Sequence, residues 1–270
     1  MPPTESPLPP EGLATGTPRD SSPAASADSP PRPGRVWALA LSGGVLAGLI
    51  AWLVGEATHT FFIPAVRPVT VMGITQMIPS YHEQVRADRK NATLVFSAFG
   101  AILGLTLGAA GGLARRSLPA GARGAAVGAL LGVAAGAGAS MVLLPIFFHR
   151  QEQAAEELSH EVVFPLLIHG GIWGAIGAAG GASFGFGLGG KKRVAVAALG
   201  GLIGGILGAV VYEFTGMMVF TEARTTQPLA IAWAPRLLAM LAVSLLTAAM
   251  AAMTLNSPTR SKVSAPGAGP

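Results

Sequence analysis

Long apolar segments alternate with short polar ones along most of the chain. A helix needs about 20 apolar residues to cross the hydrocarbon core of a bilayer, and each apolar segment here is long enough to do so. The first four segments contain no Asp, Glu, Lys or Arg, the fifth contains only Glu213 and the sixth only Arg236. The pattern predicts an all-α integral membrane protein, a six-transmembrane-helix Gly-rich bundle, with spans at about 36–55, 92–114, 124–148, 162–190, 194–220 and 229–255.

The two ends of the chain have a different composition. Residues 1–34 are rich in Pro, Ser and Ala, with almost nothing to bury, and are predicted to be a disordered tail. Acidic residues and great length before the first apolar segment are untypical of a signal peptide, so this segment is predicted to be a retained helix. Residues 257–270 are predicted to be a second disordered tail, which leaves 35–256 as the membrane domain.

The charges indicate an orientation. Basic residues are concentrated in two short turns, LARRSLPAGAR and GGKKR, whereas the acidic residues outside the tail lie at the other ends of the spans. Because cytoplasmic loops are enriched in Lys and Arg, we expect a multi-pass protein of the inner (plasma) membrane with both termini in the cytoplasm. The net charge of +5 then reflects anchoring beside the lipid bilayer, and no nucleic-acid partner is expected.

Glycine recurs at every fourth position in four of the spans. Residues four apart share one helix face, so each series forms a face without side chains that a neighbouring helix can approach closely. Such faces are typical of tight packing within a chain, of a homo-oligomer, or of helices that slide around a transport path. The four series, called glycine ladders below, are Gly100–Gly112, Gly124–Gly136, Gly177–Gly189 and Gly200–Gly208.

Two stretches suggest an internal repeat. Residues 43–58 align without gaps on 200–215, with identity at six of sixteen positions, including Glu56 with Glu213. GAAGG at 108–112 recurs at 177–181. The matching helices run in the same direction, which predicts a helical-hairpin repeat of helices two–three and four–five. Small residues at the same spacing in the sixth helix suggest a third unit made with the first helix.

Candidate metal ligands come from two Glu-x-x-His sequences, GEATH and EELSH. This spacing places a carboxylate and an imidazole on one helix face, as in di-metal bundles, and such N and O ligands suit Zn, Mn or Fe. The alternative is a solvated polar rim, because the helical rise of about 30 Å to Glu56 and to Glu213 predicts contact with water at the outer interface. The candidates are Glu56, His59, Glu157, His160 and Glu213.

Three other features have more than one interpretation. Arg236 is expected either to extend towards the outer water or to pair with Glu213. His169 is expected to be a hydrogen-bonded packing residue, with a ligand role as the alternative. The segment 56–91 contains the apolar stretch MGITQMIPS, which is interpreted as a lid over an outer vestibule or as a short packed elaboration.

No catalytic or cofactor-binding residue is predicted. The chain has no cysteine, P-loop, nucleophile elbow or His-Glu-x-x-His sequence, so a non-enzymatic role is favoured. Three hypotheses remain: a transporter or channel for small solutes or ions, a packing or assembly component of the membrane, and a membrane metal-binding protein. Which cofactor, if any, would be bound is left open.

Overall fold

The computed structural model describes residues 32–157, 163–220 and 225–256. Within these ranges six helices are long and apolar enough to cross a membrane, which confirms the predicted multi-pass helical class. Apart from residues 32–34, the two predicted tails lie outside the described ranges. The helices are α1 (Pro33–Thr58), α2 (Tyr81–Ala114), α3 (Leu118–Glu157), α4 (Val163–Leu188), α5 (Lys191–Val219) and α6 (Trp233–Asn256).

The helices pack in an alternating order. Helices α2, α4 and α6 contact one another, α1 packs between α6 and α2, α3 between α2 and α4, and α5 between α4 and α6. The ends of α1, α3 and α5 therefore meet the starts of α2, α4 and α6 at one end of the bundle. We call this the hairpin end, because a β-hairpin follows α1 there, and we call the opposite end the basic end.

Close contacts between backbones join α2 to α3. A Cβ added at Gly100, Gly104 or Gly108 would overlap the carbonyl groups of Gly132, Gly128 and Gly124, respectively. Gly177 and Gly201 make the same kind of contact between α4 and α5. The bulky buried side chains lie outside these glycine contacts. The largest of them include Phe96, Phe99, Leu103, Leu107, Leu144, Ile172, Ile176 and Phe184.

The segment between α1 and α2 forms a β-hairpin. Strands β1 (Val66–Val71) and β2 (Ile74–Pro79) pair antiparallel, from Val66 opposite Pro79 to Val71 opposite Ile74. Met72 and Gly73 form the turn with φ of 51° and 80°, and positive φ at both central residues is typical of two-residue hairpins. In β2 every side chain before Pro79 is exposed, so the sequence interpretation of a packed elaboration does not describe this strand.

Asn91 connects the same segment to the bundle. Its Oδ1 accepts a hydrogen bond from the backbone N–H of Phe62 at 2.8 Å, and its Nδ2 donates to the Phe62 carbonyl at 3.0 Å. Helix α2 begins at Tyr81, upstream of the span predicted from 92, because Ser80 caps it: the Ser80 Oγ accepts from the Glu83 N–H at 3.4 Å. The polar first turns of α2 thus extend beyond the apolar segment.

Candidate functional site

An ion pair joins α1 to α6 at the hairpin end. The Arg236 Nε and Nη2 donate to the two carboxylate oxygens of Glu56, each at 2.7 Å. Arg236 Nη1 donates to the carbonyls of Ala230 and Ile231, both at 2.7 Å. A bidentate guanidinium–carboxylate pair is among the strongest of polar contacts. Arg236 therefore positions the segment before α6 and pairs with Glu56, which corrects the expectations that it extends towards water or pairs with Glu213.

A second polar pair is buried between α4 and α5. His169 Nδ1 and Glu213 Oε1 form a hydrogen bond, and both side chains are 1% exposed. The expectation that Glu213 contacts water at the interface is wrong. Distance along a helix gives the height of a residue but not its face, and Glu213 lies on the face of α5 that also buries Ala209 and Gly216.

Aromatic rings surround this buried pair. The Trp173 ring stacks on the His169 ring, with centroids 4.8 Å apart and planes at 12°. Tyr212 presents its ring edge-on to both rings, at 5.7 Å from His169 and 5.1 Å from Trp173. The Tyr212 hydroxyl donates to the carbonyl of Thr225 at 3.2 Å. The imidazole thus lies against two aromatic rings, and both it and the carboxylate are removed from water, where a charge has a large desolvation cost.

Polar atoms of the same cluster lack hydrogen-bond partners among the described residues. They are His169 Nε2, Glu213 Oε2 and Trp173 Nε1, all fully buried. Because the large majority of buried polar side-chain atoms are hydrogen-bonded, a concentration of unpaired ones at one place requires an explanation. The expected packing role of His169 accounts for one of its ring nitrogens and not for the other.

A cavity of about 790 Å³ lies at the hairpin end. Its wall is formed by residues 59–60 just after α1, the start of α2, the end of α3 and the segment 227–231, together with Arg236 of α6. Its volume falls within the range of about 300–1,000 Å³ that is usual for small-molecule sites. The polar side chains that line it are His59, Thr60, Tyr81, Gln84, Asp88, Asn91, Gln151, Glu152, Gln227 and Arg236.

The five candidate metal ligands are only partly described. Glu56 is paired with Arg236 and Glu213 with His169, so the two carboxylates belong to separate hydrogen-bonded groups. The His59 Nδ1 lies 3.0 Å from the carbonyl oxygen of Glu56. His160 and the side chain of Glu157 lie outside the described part of the chain. Among the side chains that are described, no group of three or more His, Asp or Glu could hold a metal ion.

The His169–Glu213 pair could have been found from helical spacing. His169, Trp173 and Gly177 are four residues apart on α4, and Gly201 and Gly205 are followed at the same spacing by Ala209 and Glu213 on α5. The glycines of these two series face each other across the α4–α5 contact. Extending that antiparallel register towards the hairpin end brings His169 level with Ala209, one helical turn before Glu213, which the two side chains can span.

The fold defines the class of the chain as a multi-pass helical membrane protein. No protein-family model, curated protein or solved structure matches it.

Proposed function

We propose that the protein is a transporter or channel for small polar solutes, and that the cavity at the hairpin end is the entrance for the solute. The observation that carries this proposal is the cavity itself: about 790 Å³ at one end of a bundle of membrane-spanning helices. Concave sites with a few convergent polar groups are the usual form of small-molecule sites. Here the polar groups come from three helices, α2, α3 and α6, and from two loop segments, after α1 and before α6.

The charges of the lining favour a cationic or neutral solute over an anion. Arg236 is neutralised by Glu56 and also donates to two backbone carbonyls, so its guanidinium has little capacity left for an anionic ligand. Asp88 and Glu152 remain as carboxylates on the wall, and Asp88 accepts a hydrogen bond from Gln84 at 2.9 Å.

Passage beyond the cavity requires that helices move. Ala92 and Phe148 line the cavity, and deeper in the bundle Phe96, Phe99 and Leu103 are fully buried. Helices α2 and α3 contact each other through glycine backbones, so few interlocking side chains oppose sliding along this contact. The glycine ladders support a mechanism in which such movement opens the path.

The test is solute flux into proteoliposomes that contain the purified protein. We expect uptake of small organic cations such as guanidinium or tetramethylammonium above that of protein-free vesicles. The double variant Asp88→Asn/Glu152→Gln should lower this uptake several-fold, because it removes the carboxylates of the lining. Glu83→Gln is the matched control, since Glu83 lies on the same helix outside this cavity.

Two results would contradict the proposal. One is equal uptake by wild-type and protein-free vesicles across cationic, neutral and anionic probes. The other is wild-type uptake by the Asp88→Asn/Glu152→Gln variant. The same assay with Glu56→Gln tests whether the entrance stays open without the Glu56–Arg236 ion pair.

The proposed internal repeat is supported by the packing. Helices α2–α3 and α4–α5 both pair through glycine backbones, and Gly44 and Gly48 of α1 face Ala248 and Ser244 of α6. The two aligned carboxylates, Glu56 and Glu213, each bind a basic side chain near the start of the even-numbered helix beside them. We infer that three helical pairs, α2–α3, α4–α5 and α6–α1, are related units around the contacts of the even helices.

The packing hypothesis remains the alternative, and a homo-oligomer would be its natural form. Within the described part of the chain, however, the glycine ladders of α2 and α3 already face each other. An oligomer would therefore have to use other faces. Native mass spectrometry in mild detergent tests this: a stable multimer without solute flux would favour the packing role over transport.

The metal-binding hypothesis needs ligands beyond the described residues. Elemental analysis of untagged protein is its test, with the variant His59→Ala/His160→Ala as the comparison. About one or two bound ions per chain that are lost in the folded variant would favour a site built on the two Glu-x-x-His sequences.

A further inference from the structure

We propose that His169 and Glu213 form a proton-binding site inside the helix bundle. The observation is the buried pair with two atoms, His169 Nε2 and Glu213 Oε2, that have no hydrogen-bond partner in the part of the chain that the structure describes. This inference concerns the interior between α4 and α5 and goes beyond the proposed transport function. It holds whether or not the cavity at the hairpin end binds a solute.

The number of protons on the pair decides its net charge. With one hydrogen between Nδ1 and Oε1, a neutral imidazole donates to a carboxylate and the pair has a net charge of −1. In that state the unpaired Nε2 and Oε2 are both acceptors. A hydronium ion can then transfer its proton to Nε2, which forms an N–H bond, releases water and leaves an imidazolium–carboxylate pair with no net charge.

The surroundings favour uptake of this second proton. A buried, uncompensated negative charge is costly, whereas a neutral ion pair is much less so. The stacked face of Trp173 also interacts favourably with a cation, in this case the imidazolium. Proton binding therefore exchanges a poorly solvated anion for a compensated pair that is stacked on an aromatic face.

Among the described residues of the helices packed against the pair, no other charged side chain replaces this compensation. On α5 the ionisable neighbour is Tyr212, whose hydroxyl is engaged with Thr225. On α6 it is Arg236, already matched by Glu56. On α3 it is the exposed Arg150, which contacts α4 at the Phe164 ring, about a turn outside His169. The sequence of α2 from Asn91 to its end and that of α3 from 124 to 148 contain no ionisable residue.

The site lies within reach of the hairpin end. Glu213 precedes the end of α5 at Val219 by six residues, a rise of about 9 Å along the helix. His169 is equally far from the start of α4 at Val163. A proton thus has a short distance to travel between the surface and the pair, yet the bound proton lies among buried rings.

Trp173 provides a direct optical readout. An imidazolium stacked on an indole quenches its fluorescence, whereas a neutral imidazole does so much less. Substitution of Trp37, Trp52 and Trp233 by Phe leaves Trp173 as the one tryptophan of the chain. We expect its fluorescence to fall in a single sigmoidal step as the pH is lowered from about 9 to about 4, because the ring stacked on it then gains a positive charge.

Three further variants in the same background assign the step. His169→Gln should abolish it. Glu213→Gln should move its midpoint to lower pH, because the imidazolium loses its counter-ion while the hydrogen-bonding shape is kept. His149→Gln is the matched control and should change nothing, since His149 is exposed on α3 and its nearby partner is Gln153.

A second measurement covers the risk that the multiple Trp variant is poorly folded. Nuclear magnetic resonance of wild-type protein with isotope-labelled histidine, compared with His169→Gln, reports the protonation of the same ring. Proton uptake by His169 in this measurement would support the site. A step that persists in His169→Gln, or a midpoint that is unchanged in Glu213→Gln, would overturn it. So would the absence of any titration of His169 by both methods.

Discussion

At the scale of single residues, the two acid–base pairs of the hairpin end differ in one respect that matters. Each of the three guanidinium nitrogens of Arg236 donates a hydrogen bond: Nε and Nη2 to Glu56, and Nη1 to the carbonyls of Ala230 and Ile231. His169 and Glu213 each keep one atom without a partner among the described residues. The first pair fixes α6 to α1, and we call it the clamp. The second pair can change its protonation without breaking its existing hydrogen bond.

The clamp predicts strong coupling between Glu56 and Arg236. Arg236 is buried but Glu56 is 27% exposed, and a hydrogen bond to a charged group contributes about 1.5–3 kcal/mol, so Arg236→Gln should lower the free energy of unfolding by roughly 2 kcal/mol. The double variant Glu56→Gln/Arg236→Gln should cost less than the sum of the single ones, because neither change then leaves an unpaired charge. Denaturant unfolding in detergent measures this. Additive costs would contradict the clamp, and Arg67→Gln on the exposed hairpin should be near neutral.

The pairing of Glu56 with Arg236 could not be predicted from composition or spacing alone. Glu56 and Arg236 are separated by 180 positions in the chain, and their contact depends on α1 packing against α6. The sequence indicated that Arg236 lies at the start of the last helix, but its partner is set by the tertiary arrangement. For Glu213 the helical rise predicts a height along α5 but not the face that the side chain occupies, so the rise alone does not predict its burial.

At the scale of elements, helices such as α2 have one face of small residues and another of bulky ones. Helix α2 uses Gly100, Gly104 and Gly108 against α3 and carries Phe96, Phe99 and Leu103 among its fully buried side chains. In lipid there is no hydrophobic gain when helices associate, so close van der Waals contact provides the attraction. The small face brings the backbones together, and the bulky residues fill the interior around it.

Single methyl groups on α3 should therefore have opposite effects at two positions. A Cβ at Gly128 would overlap the Gly104 carbonyl, whereas a Cβ at Gly138 would meet no atom within 4 Å. We expect Gly128→Ala to destabilise the protein by about 1–3 kcal/mol, as overpacking does. Gly138→Ala should be neutral or stabilise it by up to about 1 kcal/mol through helix propensity. Thermal unfolding in detergent compares the two, and equal effects would contradict the backbone contact.

The six membrane helices are the part of the structure that the sequence predicts best. Six charge-poor segments of more than about 18 residues have few interpretations other than membrane helices. The β-hairpin was missed because six-residue strands between apolar and polar loop residues give no long periodic signal. The turn of Met72 and Gly73 has positive φ at both positions, and Met is not a residue that predicts such a turn.

At the scale of the whole molecule, polarity is separated between the two ends of the bundle. The cavity, both acid–base pairs and the β-hairpin lie at one end, and the Arg- and Lys-rich turns lie at the other. At the basic end the Arg35 side chain donates to the Leu113 carbonyl at 2.8 Å, and Arg193 donates to that of Leu188 at 3.1 Å. These arginines cap the C-terminal ends of α2 and α4.

This separation, together with the enrichment of Lys and Arg in cytoplasmic loops, predicts that the hairpin end faces outwards. The chain has no cysteine, so any introduced thiol is the only target for a maleimide. Arg67→Cys on β1 and Lys192→Cys at the start of α5 are matched probes, since both positions are exposed at opposite ends. In intact cells a membrane-impermeant maleimide should label Cys at position 67 and leave position 192 unlabelled until the cells are opened. The reverse pattern would place the cavity on the cytoplasmic side, and solute would then enter it from the cell interior.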